Sequence, residues 1–211
     1  MWPQASYFRA TDLVFDRDTI TTDGTRGSGF DYAAANLDSC PAEARRLQAW
    51  DRTTMLSYVN GLRAEGSTYH DIGMIWGARM LSHAGIFADS PTTFAGMPVA
   101  KHIIFMTDGE LAPSSFTYSS YGVEFMDQRV TGAVDAPQLY ARHLQRFRMA
   151  CNQAKSMNMS VWVIAFGTGL TQDMTDCASN AQQAVSASNR QQLIDRFTLI
   201  GQNIGALRLV Q

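Results

Sequence analysis

An α/β fold with a mostly parallel sheet is what this sequence predicts, on three observations. Short apolar runs at Ile103 to Met106 and at Val161 to Phe166 have the length and the β-branched or aromatic content of strands buried on both faces. Around them lie segments whose apolar residues recur at helical spacing. The first run also stops abruptly in the acidic turn Thr107-Asp-Gly-Glu110, and the carboxyl end of a parallel strand is where open α/β sheets present ligands.

Each element has its own warrant. Residues 1–50 hold turn formers, such as those between Gly24 and Gly29, and weak strand-like pieces such as Asp12 to Asp16. They read as an irregular N-terminal segment, with the regular domain over 51–211. Asp51 or Thr53 caps a helix that carries Met55, Val59 and Leu62 and ends near Gly66. Asp71 is the expected cap of the next helix, whose face is Ile72, Ile75, Trp76, Met80 and Leu81 and which stops near Ser82. After a loop with Pro91 and Pro98 comes the strand 101–107. Ser114 to Tyr121 has no clean period and reads as a long surface loop.

Gln138 to Met157 reads as a helix with Tyr140, Leu144, Phe147, Cys151 and Ala154 on one stripe. Val161 to Gly167 is a strand, and Ala184 to Ala187 a short third one. Leu193, Phe197, Ile200, Ile204 and Leu207 define a closing amphipathic helix. Helices alternating with buried strands imply βαβ crossovers and a sheet covered on both sides.

Composition removes several classes of function. With 211 residues and 45% hydrophobic content the chain can bury one sizeable core. Seventeen basic against nineteen acidic residues give a net charge of -2, and no basic run exceeds Arg45-Arg46, so nucleic acid is not an expected partner. No apolar run approaches the ~20 residues of a membrane-spanning helix. The N-terminus, Met1 to Ala5, lacks the basic start and apolar core of a secretory signal, which on its own reads as cytoplasm. Cys40, Cys151 and Cys177 show no C-x-x-C spacing, and His70, His83, His102 and His143 are scattered, so no zinc ligand set forms.

Two loops concentrate the candidate chemistry: Gly66 to Gly73, just before a helix, and Thr107 to Glu110, just after a strand. Hydroxyl and carboxylate oxygens are what a hard divalent ion takes, so Thr68 and Asp108 could share Mg²⁺ or Mn²⁺. The plainer alternative is that Thr68 or Asp71 caps a helix and Asp108-Gly109 is an ordinary turn. His70 beside the first loop reads as solvated, His102 as an edge residue, and Trp76 and Trp162 as core. Ser114 and Ser115 lack a G-x-S-x-G elbow, so Asp108 with Glu110 is the one arrangement that would suit metal-assisted hydrolysis.

The ordered set of a G-x-T-x-x-x-x-G loop, an apolar strand ending in T-D-G-E and the strand V-W-V-I-A-F-G resembles the von Willebrand factor A domain. The wording of Gly66 to Ser82, Tyr121 to Glu124, Asp127 to Thr131, Cys151 to Lys155 and Ile204 to Leu209 is similar to the C-terminal portion of TadG-like proteins of tight-adherence (Flp) pilus assembly. The resemblance covers roughly residues 40–211. It implies a doubly wound, mostly parallel, Rossmann-like sheet with a metal-ion-dependent adhesion site at its carboxyl edge. Of that site's donors, Thr68 and Asp108 match; the Asp-x-Ser-x-Ser motif is absent, since neither Asp18 to Thr22 nor Asp89 to Thr93 fits it.

Several expectations follow from the resemblance. The sheet is partial, lacking the family's first strand, which with the membrane anchor would lie upstream of Met1. The strand 101–107 is left with a bare hydrophobic edge. Metal binding by this chain is weak or none. An extracytoplasmic setting in the periplasm or cell envelope permits a disulfide between Cys151 and Cys177, the alternative being two thiols, with Cys40 left over. The expected function is a non-enzymatic binding and assembly module for envelope or pilus proteins, with loop 116–125 as the candidate contact; a metal-assisted hydrolase and a non-functional fragment are the alternatives.

Overall fold

The computed structural model describes residues 42–46, 48–62, 67–88, 91–115, 117–124, 128–131 and 136–206. Cys40, Gly66, Leu207 and nearly all of the segment expected to be irregular lie outside them.

Helix α1 (Arg52–Asn60) starts at Asp51, whose carboxylate accepts from the Thr54 amide, and Gly61 caps its other end. No residue of α1 is buried, so its apolar stripe of Met55 and Val59 faces solvent. Helix α2 (His70–Leu81) begins at His70 and has Tyr69 at its N-cap position, with no side-chain cap. Asp71, the expected cap, is buried inside the helix's first turn instead. The face of α2 is turned accordingly: Met74 and Ala78 are fully in the core, and Ile75 and Leu81 only flank it.

Two short hairpins were hidden in what read as loops: β1 (Thr93–Phe94) with β2 (Met97–Pro98), and β4 (Tyr118–Ser119) with β5 (Gly122–Val123). Between them runs β3 (Lys101–Thr107). Helix α3 (Ala136–Ser156) follows and ends at Asn158, which adopts a left-handed conformation (φ 57°) of the kind that stops helices. Its buried stripe is Leu139, His143, Phe147, Ala150, Cys151 and Ala154, shifted from the predicted one because His143 rather than Leu144 faces inward. Strand β6 (Met159–Phe166), helix α4 (Gln172–Cys177), a 3-10 turn (Ala181–Gln183), β7 (Ala184–Ala187) and helix α5 (Arg190–Ala206) complete the chain.

The main sheet has the order β3-β6-β7, all parallel, with Ile103 opposite Val161 and Ile164 opposite Val185. It is the α/β architecture expected, with helices on both faces. Side chains alternate across a strand, so β6 divides the core in two. Val161, Val163 and Ala165 join Ile103, Phe105, Met74, Phe147 and Met174 beneath α2, α3 and α4, whereas Trp162 and Ile164 meet Ile200, Leu193 and Ile204 of α5. Gly167, at φ 69°, ends β6 where a side chain would be strained, and its amide donates to Ala187 O.

Among the described residues β3 pairs with β6 alone, so it is the outer strand of the main sheet. Its inner face is buried at Ile103, Phe105 and Thr107, yet Ile104 and Met106 on the other face are 38% and 50% exposed. Helix α5 covers that face over β6 and stops short of β3.

Candidate functional site at the carboxyl edge of the sheet

Thr68 and the turn after β3 are held together by backbone. Thr68 forms a β-bridge with Ala112, its amide donating to Ala112 O at 3.3 Å and its carbonyl accepting from the Ala112 amide at 3.0 Å. An added Cβ on Gly109 would sit 3.9 Å from Thr68 Oγ1, so the hydroxyl borders the turn that carries Asp108. Asp108 and Glu110 are both exposed on this turn.

His70 fixes the turn from below. Its Nε2 lies 3.2 Å from both Thr107 Oγ1 and Gly109 O, and the Thr107 hydroxyl itself donates to Gly109 O at 2.9 Å. Thr107 Oγ1 therefore accepts from the imidazole, and Nε2 carries the proton. His70 is a buried anchor rather than a solvated loop residue; burial holds its pKa below the ordinary value, so it stays neutral. Tyr69, one residue earlier, donates its hydroxyl to Ser114 O and accepts from the Ser114 amide, tying the far end of the same loop to the start of α2. Burial pushes the Tyr69 phenol up.

Behind this edge lies a charged cluster that sequence reasoning missed. Asp71, fully buried, accepts from His143 Nδ1, which is 3.0 Å from both carboxylate oxygens; an ionised carboxylate only accepts, so Nδ1 carries the proton. Arg146 approaches the same carboxylate, with Nε 3.5 Å from Oδ2, and stacks its guanidinium 4.3 Å over the Tyr121 ring. The Tyr69 ring meets His143 edge-on. A usable signal was the spacing of His143 and Arg146, close to one turn apart on a helix with no acidic residue of its own, so that any carboxylate they share comes from another element.

The aromatic loop is anchored to the body. The Trp76 indole donates to Ser120 Oγ, and Tyr121 lies on Arg146 and His143, so the β4–β5 hairpin covers the groove between α2 and α3. Glu124 is buried, and its carboxylate accepts from the amides of Val130 and Thr131 and from the Thr131 hydroxyl. The loop thus has internal supports rather than hanging free.

The sulfurs of Cys151, in α3, and Cys177, at the end of α4, are bonded at 2.05 Å. Trp162 donates its indole N–H to His102 Nδ1 at 3.4 Å.

As a metal centre the edge is short of donors. Thr68 and Asp108 supply one hydroxyl and one carboxylate, and no group of three or more His, Cys, Asp or Glu side chains among the described residues could hold an ion. A near-octahedral Mg²⁺ held by Thr68 and Asp108 would have to keep most of its water, so the described residues at the edge do not by themselves fit a resident ion.

Fold and edge together define an α/β domain with an open parallel sheet, at whose carboxyl edge Thr68 borders the turn that carries Asp108. Neither the protein-family models nor the curated proteins include a match to the chain. Among solved structures, a pilus adhesin, SpaC from Lactobacillus rhamnosus GG, is similar with a TM-score of 0.48 and 15% identity. The similarity covers 72% of this chain and 21% of the adhesin, so the chain spans a small part of that protein.

Proposed function

We propose that the chain is a non-enzymatic protein-binding module of an envelope-borne pilus-assembly system, the C-terminal portion of a von Willebrand factor A domain of the TadG-like kind. The observation that carries this reading is the meeting of the Thr68 loop with the Thr107–Gly109 turn at the carboxyl edge of a parallel sheet, the place where such folds engage ligands. The Cys151–Cys177 disulfide adds support for a setting outside the cytoplasm, since such bonds persist in oxidising compartments. Its partners are other envelope or pilus proteins, met at the edge and the adjoining face of the β4–β5 hairpin.

The module works in this chain without a tightly held ion, because Thr68 and Asp108 offer too few ligands for Mg²⁺ or Mn²⁺. Two measurements test the reading. Calorimetric titration with Mg²⁺ and Mn²⁺ is expected to show no binding tighter than about millimolar. Purified pilin and envelope subunits from the same genome are expected to bind the immobilised chain saturably in the presence of chelator. Turnover of phosphoesters or carboxylic esters that disappears in Asp108→Ala would overturn the proposal in favour of a metal-assisted hydrolase.

A further inference from the structure

The groove between α2 and α3 that the β4–β5 hairpin covers is bordered by two arginines, each laid on an aromatic ring. Arg79 of α2 places its guanidinium 5.1 Å over the Trp76 ring, and Trp76 donates its indole N–H to Ser120 Oγ at the hairpin tip. Arg146 of α3 lies 4.3 Å over the ring of Tyr121, the next residue of that tip. The two guanidiniums thus bracket Ser120 and Tyr121. Arg142, one helical turn before Arg146, is exposed, as is Arg79. The carboxylates nearest this face are turned inward: buried Asp71 meets His143 and Arg146, and buried Glu124, just after β5, accepts from the amides of Val130 and Thr131. Among the described residues of α2, α3 and the hairpin every exposed charge is therefore positive, in a chain whose net charge is -2.

We propose that this face binds an acidic peptide segment of a partner protein, whose carboxylates are taken by Arg79 and Arg146. Stacking uses the flat side of a guanidinium and leaves its in-plane N–H groups for a planar acceptor, and a carboxylate fits two of them at once. Arg146 is fixed more firmly than an ordinary surface arginine. Its Nε is sealed from water beside the fully buried Asp71, 3.5 Å from Oδ2, while the side chain as a whole is 38% exposed. Rotamer freedom that a loose arginine gives up on binding is thus already lost in folding. A guanidinium is also more weakly hydrated than an ammonium, so closing it against a carboxylate costs less. Nucleic acid, which arginines and rings also suit, is disfavoured by the net negative charge of the chain. The proposal rests on the binding-module reading and adds to it the charge of the partner.

Two-dimensional NMR titration of the full chain with a short peptide alternating glutamate and glycine tests it. The Trp76 indole and the amides of Ser120 and Tyr121 are expected to shift saturably, with a Kd below about 1 mM, while the Trp162 indole stays in place. A peptide alternating lysine and glycine is expected to move none of them, and added salt weakens the glutamate peptide. Arg79→Glu with Arg142→Glu, both at exposed positions, is expected to raise Kd by at least about tenfold. Arg79→Lys with Arg146→Lys keeps a cation at each place, including the one beside Asp71, but removes the planar fork, and is expected to raise Kd about threefold or more. Shifts that avoid the hairpin, an affinity indifferent to either pair of substitutions, or tighter binding of a single-stranded oligonucleotide of equal length overturns the proposal. Pilin or envelope subunits that bind equally well before and after Arg79→Glu with Arg142→Glu overturn it while leaving the binding-module reading intact. Saturable binding of the peptide beside subunits that do not bind at all supports the acidic-segment site and overturns that reading instead.

Discussion

Removing the carboxylate of Asp71 probes the buried cluster behind the edge most directly. In Asp71→Ala the His143 Nδ1 proton loses its acceptor in a site where the imidazole is 2% exposed, and the Arg146 guanidinium loses its nearest counter-charge. Breaking a buried pair by deleting one partner costs about 3–5 kcal/mol, because the other is left uncompensated. Arg146 is 38% exposed and recovers part of its loss from water, so His143 accounts for most of the cost. Urea unfolding with the disulfide intact is the assay. Asp71→Asn, which keeps one acceptor oxygen, should cost less, and the double variant Asp71→Leu with His143→Leu should cost clearly less than the sum of its singles. A loss under about 1 kcal/mol in Asp71→Ala, or strict additivity in the double variant, would refute the reasoning.

Reducing Cys151–Cys177, which closes a loop with sequence separation 26, should lower stability by about 3–4 kcal/mol on the chain-entropy account, read from the shift in urea midpoint; an unmoved midpoint would contradict it. Stability should also fall on acidification. Burial depresses the folded-state pKa of His70 and His102, so below their ordinary value of 6.5 the unfolded chain takes up protons before the folded one does, and stability is lost as pH drops through that window towards the folded pKa. His70→Asn should flatten that dependence, and an unchanged slope would count against a neutral anchor. Glu124→Ala should release the amides of Val130 and Thr131, seen as faster hydrogen exchange there, while the exchange of β6 stays slow.

Strands and helices of the core were legible because their patterns are strong. The run from Val161 is apolar on both faces because α3 and α5 cover opposite sides of β6, and its shortness and β-branched and aromatic content distinguish it from a buried helix. The Thr68 loop and the Asp108 turn were suggested as neighbours by their oxygen donors and their places beside a helix start and a strand end, and the family resemblance strengthened that; the β-bridge between residues 68 and 112 that joins them leaves no periodic signal. Asp71 misled for a physical reason: an Asp at a helix start is equally suited to capping and to pairing with a buried cation, and only the fold brings His143 within reach. The two-residue hairpins escaped because strands that short have no alternation to detect.

Strand β6 makes every hydrogen-bonded ladder in the main sheet, and the partner positions for β3 arrive only after the whole of α3 has been synthesised. The residues of β3 precede those partners by roughly sixty positions, which at ordinary translation rates leaves Ile103 to Met106 without their sheet for roughly 3 to 12 s. Over that interval α2, already synthesised, can cover Ile103 and Phe105, while Ile104 and Met106 on the other face wait for the rest of the sheet. Expression yield should therefore depend on holdase chaperones that shield nascent apolar strands, and charged substitutions at Ile104 or Met106, which leave the inner face untouched, should relieve that dependence.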